Sequence, residues 1–345
     1  MLNKIISEAN IQKAKKLINK CDKIVIVTHV SPDGDAVGSS LALYHFFIEI
    51  GKWANVVVPN DYPGFLKWMP GAKNIIIGNW KESLTAEIID SADLLFCVDF
   101  NTLNRIEQLE SLVVQSKAKK VMIDHHPCPE NFCDVTISHP EISSTSELIF
   151  RFICRMGMFE YLNKRCAESI FTGMMTDTGA FTYNSNSPAI YYIISELINK
   201  GINKDAIYSK VYNNNTENRT RLQGYAINEK MKIFKEYKTS LITLSQEELK
   251  RYQWKKGDTE GFANIPLTIE NIGFSAFIRE DDNDDIRLSF RSKNKFPANE
   301  FASTFFNGGG HLNAAGGEFK GKLEDAVALF EEVLPKFIQQ YSELI

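Results

Sequence analysis

KIVIVTHVSPDGD, running from Lys23 to Asp35, is the stretch that decides the fold. Its first residues are a β-branched run with strand character, closed by a polar turn and followed by the helical pattern AVGSSLALYHFFIEIG, residues 36–51. The same grammar recurs downstream in ANVVVP (54–59), DLLFCVD (93–99), KKVMIDHH (119–126) and CDVTIS (133–138). Strands alternating with helices predict βαβ units on a mostly parallel sheet flanked by helices. Ligands of such sheets gather beyond the carboxyl ends of the strands.

The chemistry-bearing residues stand at those ends. His29, Asp33 and Asp35 follow the first strand, Asp99 closes LLFCVD, Asp124, His125 and His126 close KKVMI, and Asp177 ends a helical stretch in TDTG. Each fragment alone has a bland explanation: Asp35 suits a helix N-cap, Asp-Gly is a common turn, and His pairs occur on surfaces. Together they deliver several carboxylates to one edge of one sheet, where they repel unless a cation neutralises them. Carboxylates with a minority of imidazoles suit manganese, or magnesium as the alternative, and the surplus of ligands fits two ions about 3.5–4 Å apart. Cys128 and Cys133 follow the His pair, but no second cysteine pair completes a zinc site.

Helical patterning continues through 143–157, 163–179, 187–201 and 203–215. A second domain is expected from about Leu222, with a hairpin in MKIFKEYKTSLITLS (231–245), strands at 271–280 and 285–293 around the acidic turn Asp281–Asp285, and a closing helix after Leu323. The reading is therefore α/β with two domains: a metal-binding one over 1–185, a helical linker over 186–221, and a smaller α/β domain over 222–345. The numerous phenylalanines read as interior packing.

The whole chain, 345 residues with 44% hydrophobic and 24% charged, has the composition of a globular protein with room for two cores. A net charge of −4 and a pI near 6.0 disfavour a protein that tracks long nucleic acid, which must neutralise many phosphates. The first twenty residues read as an amphipathic helix with lysines on one side, not as a signal peptide, and no stretch reaches the roughly 20 apolar residues of a membrane span. The six cysteines are then reduced thiols of a cytoplasmic protein.

HVSPDGDAVGSS, Val98-Asp99, the literal Asp124-His125-His126 and TDTGAF resemble, in order, the four N-terminal motifs of the DHH phosphoesterases. GGGHLNAAGG (308–317), preceded by FRSK (290–293), is similar to the DHH-associated domain, and length and spacing most resemble the bacterial nanoRNase group. The resemblance implies one metal on His29, Asp33 and Asp99, and another on Asp35, Asp99, His125 and Asp177, with Asp99 bridging. It implies that His126 faces the phosphate and helps the leaving oxygen, with Asp124 orienting an imidazole by hydrogen bonding.

In the second domain, Gly308, Gly309 and Gly310 let backbone N–H groups approach a phosphate, Arg291 can grip it bidentately, and His311 can touch a phosphate or sugar oxygen. Arg279, Ser144 and Thr145 are weaker substrate-binding candidates. The serine and threonine begin a helix, so capping explains them as well as anion binding does. The expected activity is hydrolysis of short oligoribonucleotides or linear dinucleotides to mononucleotides, and of 3′-phosphoadenosine 5′-phosphate to AMP. The site is expected in a cleft that the two domains close, with no membrane partner and a homodimer left open. The rivals are a family II-type inorganic pyrophosphatase or exopolyphosphatase, and a non-catalytic nucleotide-binding protein.

Overall fold

The apolar run after Lys23 is a strand with no solvent face. Ile24, Val25, Ile26 and Val27 are all fully buried, the isoleucines packing into one hydrophobic cluster and the valines into another on the opposite side. The computed structural model describes residues 5–281 and 285–345. The chain divides into two units, one ending at Asn214 and the other beginning at Asn215.

The first unit runs α1 (Glu8–Lys20), β1 (Lys23–Val27), α2 (Gly34–Glu49), β2 (Trp53–Val58), β3 (Ile76–Ile77), α3 (Glu82–Asp90), β4 (Leu94–Val98), α4 (Glu110–Gln115), β5 (Lys119–Asp124), β6 (Val135–Ser138), α5 (Thr145–Arg155), α6 (Lys164–Asp177), α7 (Pro188–Asn199) and α8 (Lys204–Tyr212). Its sheet has the order β3-β2-β1-β4-β5-β6, and every pairing is parallel. The order reverses between β1 and β4, so the crevice beyond those two strands is the topological switch point. His29 and Asp99 follow those two strands. One face of the sheet is covered by residues of α1, α2, α5, α6, α7 and α8, the other by residues of α3 and α4.

In α1, Ser7 caps the helix by accepting from the Asn10 N–H, and Ile11, Ala14 and Ile18 form the buried stripe. Residues 1–4 of the expected N-terminal helix lie outside the described residues. Most of the stretch read as a linker is α7 and α8, whose Ile190, Ile193, Leu197, Ile207 and Val211 enter the first unit's core.

The second unit contains α9 (Glu217–Tyr225), β7 (Met231–Phe234), β8 (Thr239–Leu244), α10 (Gln246–Arg251), β9 (Phe274–Glu280), β10 (Asp285–Ser292), α11 (Ala298–Phe305), β11 (Gly309–His311), β12 (Ala314–Lys320) and α12 (Leu323–Gln340). Its mixed sheet has the order β11-β12-β10-β9-β8-β7, antiparallel except for β8 beside β9. β7 and β8 form the expected hairpin. Phe274, Phe290, Phe296, Phe301 and Phe306 are buried between this sheet and the helices α11 and α12, confirming the packing role read for them. Each such ring contributes roughly 1.5–3 kcal/mol by burial. Residues 282–284, the tip of the acidic turn, lie outside the described residues. Among the described residues no helix is long and apolar enough to cross a membrane.

Candidate metal centre

Beyond β1 the chain is tied down at each step. The Val30 N–H donates to the Arg105 carbonyl (2.8 Å), and the Ser31 N–H donates to Asn60 Oδ1 (2.6 Å). His29 Nδ1 lies 2.7 Å from the Val30 carbonyl. A carbonyl only accepts, so the proton sits on Nδ1 and Nε2 is left as the donor atom a metal needs. Asp33, not Asp35, caps α2: its Oδ1 accepts from the N–H groups of Asp35 and Ala36, both at 3.0 Å. Asp35, freed from capping, turns inward and is buried.

Asp99 leaves β4 with φ of +62°, the left-handed region that aspartate tolerates better than most residues, while its N–H still reaches the Ile123 carbonyl. A residue held in that region at the end of a central strand is a common mark of a functional site. Asp124 ends β5, and His125 and His126 follow it. His125 Nδ1 faces the Ile142 carbonyl at 3.2 Å, again leaving Nε2 to face the site, and His126 Nδ1 lies 2.8 Å from Asp124 Oδ1.

These atoms converge on Asp99. Its Oδ2 lies 3.5 Å from His29 Nε2, which is 3.9 Å from Asp33 Oδ1. Its Oδ1 lies 3.7 Å from His125 Nε2, which is 3.6 Å from Asp177 Oδ2. Oδ1 is also 3.7 Å from His126 Nδ1. Within the first unit, three groups of described donor atoms are close enough to share an ion: His29 with Asp33 and Asp99, Asp35 with His125 and Asp177, and Asp99 with Asp124 and His126.

The electrostatics fit a cation. Burial, together with the charges of Asp99 and Asp177, lifts the Asp35 carboxyl well above its ordinary range; burial and the charges of Asp33 and Asp99 do the same to Asp177. Burial also pushes Asp99 upward, but His29, His126 and His125 outweigh it and hold this carboxyl low. His29 Nε2 is buried, and among the described residues it has no hydrogen-bond partner. Hard oxygens and imidazole nitrogens, buried at His29, Asp35, Asp99 and His125 and more exposed at Asp33 and Asp177, can hold a divalent ion that favours oxygen and nitrogen.

The helix start that carries Ser144 and Thr145 already holds an anion. Ser144 Oγ caps α5 by accepting from the Glu147 N–H at 3.1 Å. The N–H groups of Thr145 and Ser146 donate to Asp35 Oδ2 (2.6 Å) and Oδ1 (2.9 Å), and Thr145 Oγ1 donates to Asp99 Oδ1 (2.8 Å). Sequence reasoning missed this use of Thr145; the signal available was an N-cap pattern downstream of a strand edge already crowded with carboxylates. It also missed Arg105, which is half-buried and near enough to oppose protonation of His29. Gly38 and Gly173 were missed as well. A Cβ on Gly38 of α2 would lie 2.8 Å from the Ser169 carbonyl oxygen, and one on Gly173 of α6 would lie 2.8 Å from Asp35 Oδ1, so close approach of the two helices needs both glycines.

In the second unit, Gly309–His311 is not an open loop but the edge strand β11. A Cβ on Gly308 would lie 2.0 Å from the Gly316 carbonyl oxygen, and Gly310 has φ of +142°, so pairing with β12 requires both glycines; Gly309 faces open space. Arg291 on β10 and His311 on β11 are each in register with Ala314 of β12. Register places the three side chains on one face, with the small alanine between the two long ones. Arg291 Nη1 donates to the carbonyls of Phe290 (2.8 Å) and Ala315 (3.3 Å), and the Glu260 carboxylate favours its charged form. Burial lowers the Arg291 pKa. Arg279 instead donates to Asp281 Oδ2 at 3.2 Å and lies over the Trp254 ring.

A parallel sheet whose switch-point crevice is lined by histidine and aspartate forms a site able to hold divalent metal. The chain belongs to the DHH family: residues 23–174 match the DHH family N-terminal domain and residues 239–336 the DHHA1 domain. The resemblance read from the motifs is thus borne out. A solved structure of an exopolyphosphatase-related protein from Bacteroides fragilis superposes with a TM-score of 0.94 at 56% identity, over 97% of this chain and 98% of that one. Thermus thermophilus has a relative 27% identical over 90% of this chain and 88% of its own length, and Bacillus subtilis one 25% identical over 87% and 90%. Both are named bifunctional oligoribonuclease and PAP phosphatase NrnA.

Proposed function

We propose that this protein is a metal-dependent phosphodiesterase and phosphatase that cuts short oligoribonucleotides or linear dinucleotides to mononucleotides and removes the 3′-phosphate of 3′-phosphoadenosine 5′-phosphate. The observation that carries the proposal is the Asp99 carboxylate, whose Oδ2 faces His29 and whose Oδ1 faces His125. In this reading His29, Asp33 and Asp99 hold one divalent ion, and Asp35, Asp99, His125 and Asp177 hold a second; manganese suits the mixed nitrogen and oxygen donors, with magnesium the alternative. Such a pair supplies neutralisation of charge building on the phosphoryl group and activation of the attacking water.

The chain's own groups do the rest. Asp124 fixes the His126 ring through Nδ1, so that Nε2 faces the substrate and passes a proton to the oxygen that leaves as the P–O bond breaks. Arg291 and His311, side by side across β12, bind a phosphate and a neighbouring sugar or phosphate oxygen, and the backbone at Gly308, Gly309 and Gly310 admits the anion closely. Two cationic or polar grips suit a substrate of few phosphates.

The relatives' names support the nucleotide reading. The name of the Bacteroides fragilis protein favours a second one, exopolyphosphatase activity. The test is initial rate against substrate, with diribonucleotide, longer oligoribonucleotides to about 20 residues, 3′-phosphoadenosine 5′-phosphate, pyrophosphate and polyphosphate at one manganese and salt concentration. Rates that are highest on two to about four nucleotides and fall steeply with length support the proposal. A flat or rising length profile, or faster cleavage of polyphosphate, overturns it.

A further inference from the structure

The geometry points to Thr145 as the positioning residue that decides which oxygen of Asp99 serves which half of the centre, a role that rests on the two-ion reading above. A carboxylate at the end of a strand can rotate about its Cβ–Cγ bond, a broad torsion with little intrinsic preference. In that reading Asp99 presents Oδ2 toward His29, 3.5 Å away, and Oδ1 toward His125, 3.7 Å away. The Thr145 hydroxyl removes that freedom. It donates to Oδ1 at 2.8 Å, so Oδ1 stays on the side of His125 and Oδ2 stays 3.5 Å from His29 Nε2.

The same residue fixes the partner carboxylate. Its N–H takes Asp35 Oδ2 at 2.6 Å while the Ser146 N–H takes Oδ1 at 2.9 Å, so Asp35 is held through both oxygens. One residue thus sets the angle of two carboxylates that arrive from different elements, β4 and α2. The anchor is itself rigid. Ser143 donates twice to Glu147 Oε2, from N–H at 3.3 Å and Oγ at 2.6 Å, while Arg151 Nε and Nη2 grip Glu147 Oε1 at 2.8 and 2.6 Å. Ser143, Ser144, Thr145, Glu147 and Arg151 are all buried. Groups that hydrogen-bond metal-ligating carboxylates fix their orientation, and losing one typically costs about 10–100-fold in metal affinity or activity.

The test replaces the hydroxyl by a methyl group in the full chain. Thr145→Val keeps the shape and both backbone hydrogen bonds but removes the donor to Asp99, whereas Thr145→Ser keeps the donor. Metal-stripped parent and variants are titrated with manganese by calorimetry, and fold is checked by circular dichroism. We expect Thr145→Val to bind manganese about 10–100-fold more weakly and Thr145→Ser to stay within about threefold of the parent. If Thr145→Val does not fold, Thr145→Ala, which adds no atom, carries the same expectation. Folded Thr145→Val or Thr145→Ala that binds manganese within threefold of the parent overturns the role of Thr145. So does a Thr145→Ser variant as weak as the valine. A parent that takes up no manganese instead overturns the two-ion reading itself, which keeps the two failures apart.

Discussion

Replacing Gly38 by alanine tests whether α2 and α6 approach as closely as the centre requires. The new Cβ would lie 2.8 Å from the Ser169 carbonyl oxygen and 2.9 Å from both Cα and N of Gly173. These are backbone atoms, so no side chain can rotate aside. Reaching an ordinary contact forces the helices apart by roughly half an ångström, and overpacking of this kind typically costs about 1–3 kcal/mol. Against it stands the gain of about 1 kcal/mol from replacing a helical glycine by alanine. Gly224 on α9 calibrates that gain alone, since a Cβ there meets nothing within 4 Å. Gly224→Ala is expected to stabilise by up to about 1 kcal/mol, and Gly38→Ala to fall about 1–3 kcal/mol below it, the difference being the clash. Urea unfolding followed by circular dichroism measures both. Manganese uptake should also weaken in Gly38→Ala, because α2 carries Asp35 and α6 ends at Asp177. Equal stabilisation by the two substitutions, with metal uptake unchanged, refutes the argument.

Three further outcomes are expected. Asp99→Ala should lose activity by several orders of magnitude while its circular dichroism spectrum stays that of the parent; near-normal turnover at saturating manganese removes the shared-ligand assignment. Arg291→Ala and His311→Ala should each slow nucleotide turnover about 10–100-fold, the worth of one hydrogen bond to a charged group at roughly 1.5–3 kcal/mol, with metal content measured by atomic absorption unchanged. Asp93 accepts from the N–H groups of Asp22 and Lys23 (2.9 and 2.8 Å), and chiefly the Lys23 bond holds its carboxyl below the ordinary value of 3.8. A depressed folded pKa stabilises fully above the unfolded value and is lost as pH falls through the folded one. The stability gap between parent and Asp93→Ala in urea should therefore be open at pH 7 and close below about pH 4; a gap that does not depend on pH contradicts the assignment.

Much of the first unit was legible because burial on both faces leaves a plain signature: near-continuous apolar runs, as in residues 24–27 and 94–98, ending in polar residues. The carboxylates and histidines could be placed at one sheet edge because parallel connectivity sends every strand's carboxyl end the same way. What stayed hidden was tertiary. Whether Asp33 or Asp35 caps α2 depends on which one the interior claims, and Asp35 is claimed by the N–H groups of Thr145 and Ser146, 110 and 111 residues away. The edge strand β11 is three residues long and two of them are glycine, so it carries no strand propensity to read. Gly38 and Gly173 lie within helical patterns, where only the neighbouring helix reveals why a side chain is excluded. Arg279 looked like an anion grip because a charged side chain's partner, here Asp281, is a matter of rotamer and not of sequence.

The most direct test of the central claim is the hydrolysis of a diribonucleotide by metal-stripped protein before and after manganese is restored, with pyrophosphate and polyphosphate followed in parallel. The expected result is no turnover without metal, release of mononucleotides once manganese is added, and slower cleavage of both phosphate polymers. Full turnover in the presence of chelator, or a preference for pyrophosphate or polyphosphate over the dinucleotide, contradicts it.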